Sequence, residues 1–173
     1  ADTTTKWIVF YQATSAAGQR DILGLGPSVL QVAYNETATY SSTATAMPVD
    51  DTIPQNTEGG EFITVTITPK NTNNILYVEG YVFCATGAAD TAQIAIFKDT
   101  TANALNAASH TFGGGNNLAG MRLTHKMVAG SSPITFKLRG GGNGTAFYVN
   151  GGSASRYFGG VVTSWLRVTE VEV

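Results

Sequence analysis

Few side chains in this sequence are equipped for bond-making chemistry. The two histidines, His110 and His125, stand apart, and the single cysteine, Cys84, lies far from both. A metal centre needs three or four ligands, often in close pairs along the chain, and this spacing supplies no such set. Cys84 sits in an apolar run and reads as a small buried hydrophobe. His125 shares the parity of Met121, Leu123 and Met127 and reads as a core or interface imidazole. Asp50-Asp51 is the only adjacent acidic pair; a calcium loop would need further oxygen ligands at alternating positions, so a capped turn is expected. Glu170 and Glu172 fall on one face of a terminal strand, too close to act as an acid/base pair, and read as a solvated edge. No Gly-x-Ser-x-Gly, His-Glu-x-x-His or phosphate-loop pattern occurs. These residues point to a chain without catalytic residues, metal or cofactor. Loops on a rigid scaffold are where binding groups concentrate. Asn116, Asn117, Tyr148, Asn150, Arg156 and Tyr157 combine ring faces with amides and a guanidinium, the mix that sugar recognition uses, and are the ligand-binding candidates.

The elements that must carry them are short strands. Residues 47–62 form a turn-rich hinge with Pro48, Pro54 and Gly59-Gly60. Ile63, Val65 and Ile67 then alternate onto one face. The run 75–84 is apolar on both faces, which predicts a central strand covered on both sides; the second cover would be another subunit or the N-terminal arm. Tyr77, Tyr81 and Phe83 from this run, with Trp165, are the expected contact with such a subunit. Gly80 predicts a bulge or a close backbone contact. Further strands are expected at 91–99, 118–128, 134–139, 145–149 and 161–173, the last with a shift of apolar parity that predicts a bulge or burial on both faces. Residues 28–46 read as one long strand or a broken pair, with a helix as the weaker competitor. Residues 100–117 read as a long loop and Gly140–Gly144 as a flexible tip. Residues 1–27, with a short apolar strand at Trp7–Tyr11, read as an arm or connector. Strands at this spacing without a convincing helix make an all-β antiparallel jelly-roll sandwich over residues 28–173.

Charged residues are only 13% of the chain, and the net charge is −2. Scarce and scattered Lys and Arg disfavour a nucleic-acid partner. Low charge suits either a Thr/Asn/Ser-rich sheet surface or a face that meets another copy of the chain. One cysteine excludes an intrachain disulfide. No apolar run is long enough to predict membrane insertion by a helix. The start, Ala1 to Lys6, lacks a signal-peptide pattern and an initiator methionine, which suggests a fragment or a processed chain.

The string Pro48 to Phe62, with Ile67-Thr68-Pro69-Lys70, resembles a segment of tail-fibre, tailspike and other virion proteins of tailed bacteriophages. Tyr157-Phe158-Gly159-Gly160 leading into Ser164 to Val171 is similar to the end of the same module, and Ala95–Asp99 and Phe136–Arg139 fit its inner strands. The resemblance covers roughly residues 40–173. It implies a jelly roll similar in shape to tumour-necrosis-factor and complement modules, assembled as a homotrimer on the virion. Other virion proteins and host cell-surface polysaccharide would then be its partners, with assembly in the host cytoplasm. A head decoration without a receptor role, a carbohydrate-binding module of a secreted bacterial enzyme, and a glycan depolymerase are the competing expectations.

Overall fold

The computed structural model describes residues 26–153 and 155–173, together with 18–19 and 23–24. The expected strand at Trp7–Tyr11 and nearly all of the expected arm lie outside the described residues. Ten strands are present among them: β1 Val29–Thr37, β2 Ser41–Thr43, β3 Gly60–Ile67, β4 Ile75–Thr86, β5 Asp90–Lys98, β6 Asn106–Phe112, β7 Ala119–Val128, β8 Ile134–Gly142, β9 Phe147–Val149 and β10 Ser164–Val171. One sheet places β1, β10, β4 and β7 side by side; the other has the order β3-β8-β5-β6. Every strand pair is antiparallel. Leaving out the short β2 and β9, the chain crosses between the sheets at every step except from β5 to β6, the path of a jelly roll, with first and last strands paired in one sheet and second and next-to-last in the other. Alternation brings Leu76, Val78, Val82 and Cys84 of β4 inward to meet Ile63, Val65, Ile67, Ile94, Ile96, Phe136 and Leu138 of the facing sheet in one continuous core.

The region 28–46 is a broken pair. β1 runs against β10 and β2 against β9, and both β10 and β9 lie along the same edge of β4. Gly80 interrupts neither ladder of β4. It is instead a close contact, since a Cβ there would lie 3.0 Å from Leu138 Cδ1.

Three expectations are corrected. Residues 106–112 are a strand, not loop: Asn106-Ala-Ala-Ser-His-Thr exposes small and polar side chains on the edge of the second sheet, and only Phe112 is buried, so no alternation marks it. Gly140–Gly142 is no flexible tip. It is the buried end of β8, paired with Ile94, Gln93 and Ala92. Glycine is required there because other groups lie on the backbone: a Cβ on Gly140 would stand 2.8 Å from the Phe147 ring, and one on Gly141 would stand 2.9 Å from Met47 N. The third concerns the terminal strand. β10 pairs with β4 in unbroken register, and the bulge lies opposite, in β1 between Val29 and Gln31. The inward parity of Leu166 and Val168 continues into Glu170, which is wholly buried and therefore not a solvated edge.

A carboxylate in that position is tolerable only with donors around it, since an unpaired buried charge costs several kcal/mol. Glu170 accepts hydrogen bonds from Lys70 N (2.9 Å), Asn71 N (3.3 Å), Asn74 Nδ2 (2.6 Å) and Gln31 Nε2 (2.5 Å). Burial alone would raise its pKa, but these donors outweigh that and hold the carboxyl below the usual range.

The hinge at residues 47–62 covers the outer face of the second sheet. Met47 packs on Ala95 and Phe97 of β5 with Ala104 alongside, and Met47 N donates to Gly142 O at 3.0 Å. The strand covered on both faces by its own chain is thus β5. The outer face of β4, expected to be covered, is half-open, with Tyr77 41% exposed.

Two outcomes follow. Gly140→Ala drives a methyl into Phe147 and should destabilise the fold by about 1–3 kcal/mol, read as a lower denaturation midpoint in urea at unchanged slope. The Glu170 carboxylate has a depressed folded pKa, so its stabilisation is present above the unfolded value of roughly 4.3 and is lost as pH falls through the folded value. Glu170→Gln should therefore lower stability at neutral pH and flatten its fall on acidification, measured by urea unfolding from pH 7 to pH 3.

Candidate functional site

The outer face of the first sheet is laid out in rows by strand register, because directly opposed residues share a side. Across β1, β10, β4 and β7 the first row is Val29, Val171, Ile75, Val128. The next is Val32, Thr169, Tyr77, Lys126, then Tyr34, Arg167, Glu79, Thr124, then Glu36, Trp165, Tyr81, Arg122. The face thus grades from aliphatic at one end, through a charged belt, to aromatic. Tyr34, Trp165 and Tyr81 form a continuous run of rings, with centroids 6.3 Å and 6.0 Å apart, the second pair stacked. Gly120 opposes Phe83 beyond them, and a Cβ there would overlap Tyr81, so glycine lets the ring lie flat across β7.

Glu79 organises the centre. Its two oxygens accept from Arg122 Nη2 and Arg167 Nη2 respectively, and Arg167 Nε adds a bond of 3.0 Å. Burial would raise its pKa, but the two guanidiniums prevail and keep it ionised below the ordinary carboxylate range. The same guanidiniums lie 5.9 Å and 5.7 Å from the Trp165 ring centroid, a cation–π arrangement that fixes the indole. Tyr34 donates to Glu36 Oε2 at 2.6 Å, and that bond, more than its slight burial, raises the phenol's pKa. A shallow depression of about 500 Å³ opens among Tyr77, Glu79, Thr124, Lys126, Arg167 and Thr169.

The expected interface residues Tyr77, Tyr81, Phe83 and Trp165 all fall on this one face. The expected ligand residues gather at its far end. Tyr157 and Phe158 sit in the turn before β10; Phe158 packs against Phe83 at 6.3 Å and against Tyr157 at 6.4 Å. Phe158 is 65% exposed at a φ of 51°, a backbone conformation costly for a bulky residue. Arg156 and Asn117 are exposed on neighbouring loops, and Tyr148 is half-buried, stacked on Tyr40 at 6.4 Å. Asn116 spends its carbonyl on Ser153 N at 2.6 Å. Phe158 and Tyr34 were missed as site residues; the isolated ring of Tyr34 beside a Thr/Ser run carries no sequence signal, because only register brings it to Trp165.

Asn150 is corrected: it is a structural pin and not a ligand group. It is 1% exposed. Its Nδ2 donates to Thr37 O (2.8 Å) and Thr39 O (3.1 Å) where β1 breaks into β2, and its Oδ1 accepts from Ser164 Oγ (2.8 Å). Ser164 Oγ in turn accepts from Phe83 N at 3.0 Å.

The groups considered for chemistry are dispersed. Burial pushes the Cys84 thiol up to about 12, so no thiolate forms at neutral pH. His125 is half-buried on the inward face of β7, its pKa lowered by burial. His110 is exposed on β6, edge-on to Phe112 at 4.7 Å. Asp50 caps its own turn, accepting from Thr52 N at 2.8 Å. Among the described residues no three His, Cys, Asp or Glu side chains gather as a metal site requires.

No family model matches the chain, and no curated protein matches it. Several solved structures are similar in fold. The C-terminal domain of EclA, a sugar-binding protein, is 13% identical, covers 64% of this chain and 73% of its own, and gives a TM-score of 0.40. The CBM22-1 xylan-binding domain of Paenibacillus barcinonensis Xyn10C is 12% identical, with 86% and 97% covered and a TM-score of 0.40. The C-terminal CBM6 of LamC, from Zobellia galactanivorans, is 14% identical, with 80% and 99% covered and a TM-score of 0.36.

Asn150→Ala should remove the side-chain donor of Thr37 O and Thr39 O and the acceptor of the Ser164 hydroxyl and cost roughly 2 kcal/mol or more, seen as a drop in thermal midpoint with the far-UV spectrum of the folded state unchanged.

Proposed function

We propose that this domain is a non-catalytic carbohydrate-binding jelly roll whose binding surface is the outer face of the first sheet. The observation that carries the reading is the unbroken run Tyr34–Trp165–Tyr81, one ring per adjacent strand, on a face that no described segment covers. Flat rings offer the apolar surface that sugar rings pack on, and Thr124, Thr169 and the guanidiniums of Arg122 and Arg167 stand beside them as partners for hydroxyls. The charge content favours a ligand surface. Glu36, Glu79, Arg122, Lys126 and Arg167 make this face denser in charge than the chain at 13%, whereas the buried core of a permanent subunit interface is depleted in charge.

A second reading is supported by the aliphatic end. Val29, Val32 and Val128 are 60%, 53% and 58% exposed, and a sugar has little use for them. In that reading the domain is a virion protein of the tailed-bacteriophage type, a homotrimer that closes by seating this face on its neighbours around a three-fold axis. The Phe158 and Tyr157 end would then meet a host surface glycan or another virion protein.

Trp165→Ala and Tyr81→Ala should each weaken binding to an immobilised polysaccharide by about ten-fold, the loss of roughly 1.4 kcal/mol of ring contact, measured by affinity electrophoresis. Light scattering decides between the readings: a single-chain mass of 18.1 kDa supports the ligand surface, and three times that mass, abolished by Val32→Glu with Val128→Glu, supports the trimer.

A further inference from the structure

Lys126 is the basic group of this face without a carboxylate. Arg122 and Arg167 share Glu79, and among the described residues Lys126 makes no ion pair. Its ammonium instead lies 5.8 Å from the centroid of the Tyr77 ring. Tyr77 is flanked in register by Thr169 on one side and Lys126 on the other, and the next row carries Arg167 and Thr124. The depression of about 500 Å³ is therefore floored by a ring, edged by two hydroxyls and bounded by Lys126, Arg167 and the Glu79 carboxylate that Arg122 and Arg167 already occupy. Three cations stand on the face against two carboxylates, one of them, Glu36, held by Tyr34, in a chain whose net charge is −2. The site is positive where the molecule as a whole is negative, which draws an anion to it.

Resting on the carbohydrate-binding reading above, we infer that this depression takes an acidic sugar residue: its ring lies on Tyr77, its hydroxyls reach Thr124 and Thr169, and its anionic group meets Lys126. The ligand class is an anionic polysaccharide, with the charge carried by a uronate carboxylate or a sulfate ester. A neutral glucan or xylan offers Lys126 nothing in exchange for its water.

The experiment is affinity electrophoresis and calorimetry of the whole chain against four probes: polygalacturonate, its fully methyl-esterified form, dextran sulfate and dextran. Binding to polygalacturonate that is lost on esterification supports the uronate source, and binding to dextran sulfate but not dextran supports the sulfate ester. In either case affinity should fall with salt. Lys126→Gln should weaken binding about ten-fold, as for one charge-assisted hydrogen bond, and Lys126→Glu should abolish it. Lys126 is exposed, so both variants should keep the wild-type thermal midpoint. Equal binding to charged and neutral probes, or indifference to Lys126→Glu, overturns the anionic preference and leaves the carbohydrate reading standing. Failure to bind any probe or a wider glycan panel, with Trp165→Ala indistinguishable from the parent chain, overturns both.

Discussion

The rows of the outer face of the first sheet exist only if β10 holds its register, and β10 is fastened at both ends by buried polar groups. At its start Ser164 is tied to Asn150 and Phe83; at its end Glu170 is ringed by donors from Gln31, Lys70, Asn71 and Asn74. A slip of one residue would turn Trp165, Arg167 and Thr169 inward and expose Leu166 and Val168. An apolar residue at position 170 would bury as well, but would not distinguish one register from another; a carboxylate with four donors does. The pin costs desolvation and returns specificity of pairing, on which the aromatic run depends.

The two sheets differ in how their outer faces are treated. The second is closed from within, because Met47 and the hinge lie on Ala95 and Phe97, and the glycines of β8 allow the chain to approach that closely. The first is left open, with Tyr34 52% and Tyr77 41% exposed. Large rings that remain half-solvated on an open sheet face, with two guanidiniums beside Trp165 and the Lys126 ammonium beside Tyr77, are suited to contact with something outside the chain.

Much of the fold was legible because alternation is a direct consequence of strand geometry. β3, β4, β7 and the first part of β8 announce themselves by inward apolar residues at every second position. The illegible parts each have a physical cause. β6 presents small side chains on an edge, so burial leaves no pattern. Gly140–Gly142 resembles a loop by composition, because the reason for glycine is contact with Phe147 and Met47, residues distant in sequence. Glu170 resembles surface because its donors come from two segments distant in sequence, β1 and the turn between β3 and β4. On the outer face, the common side of Tyr77, Tyr81, Phe83 and Trp165, read in the sequence as a subunit contact, follows from parity within their strands, whereas the partnership of Tyr34 with Trp165, and the pinning role of Asn150, depend on pairings between strands more than 100 residues apart.

The pairing of the outermost strands also decides which way the domain points. Glu172 N donates to Ser28 O at 2.9 Å, and Ser28 Oγ donates to Glu172 Oε2 at the same distance, so the polypeptide comes into the sandwich and leaves it at one pole. Phe158 and Tyr157 occupy the other pole. A tether attached directly at Ser28 or Glu172 would thus hold the sandwich by its aliphatic end, with the rings of Tyr157 and Phe158 at the opposite one.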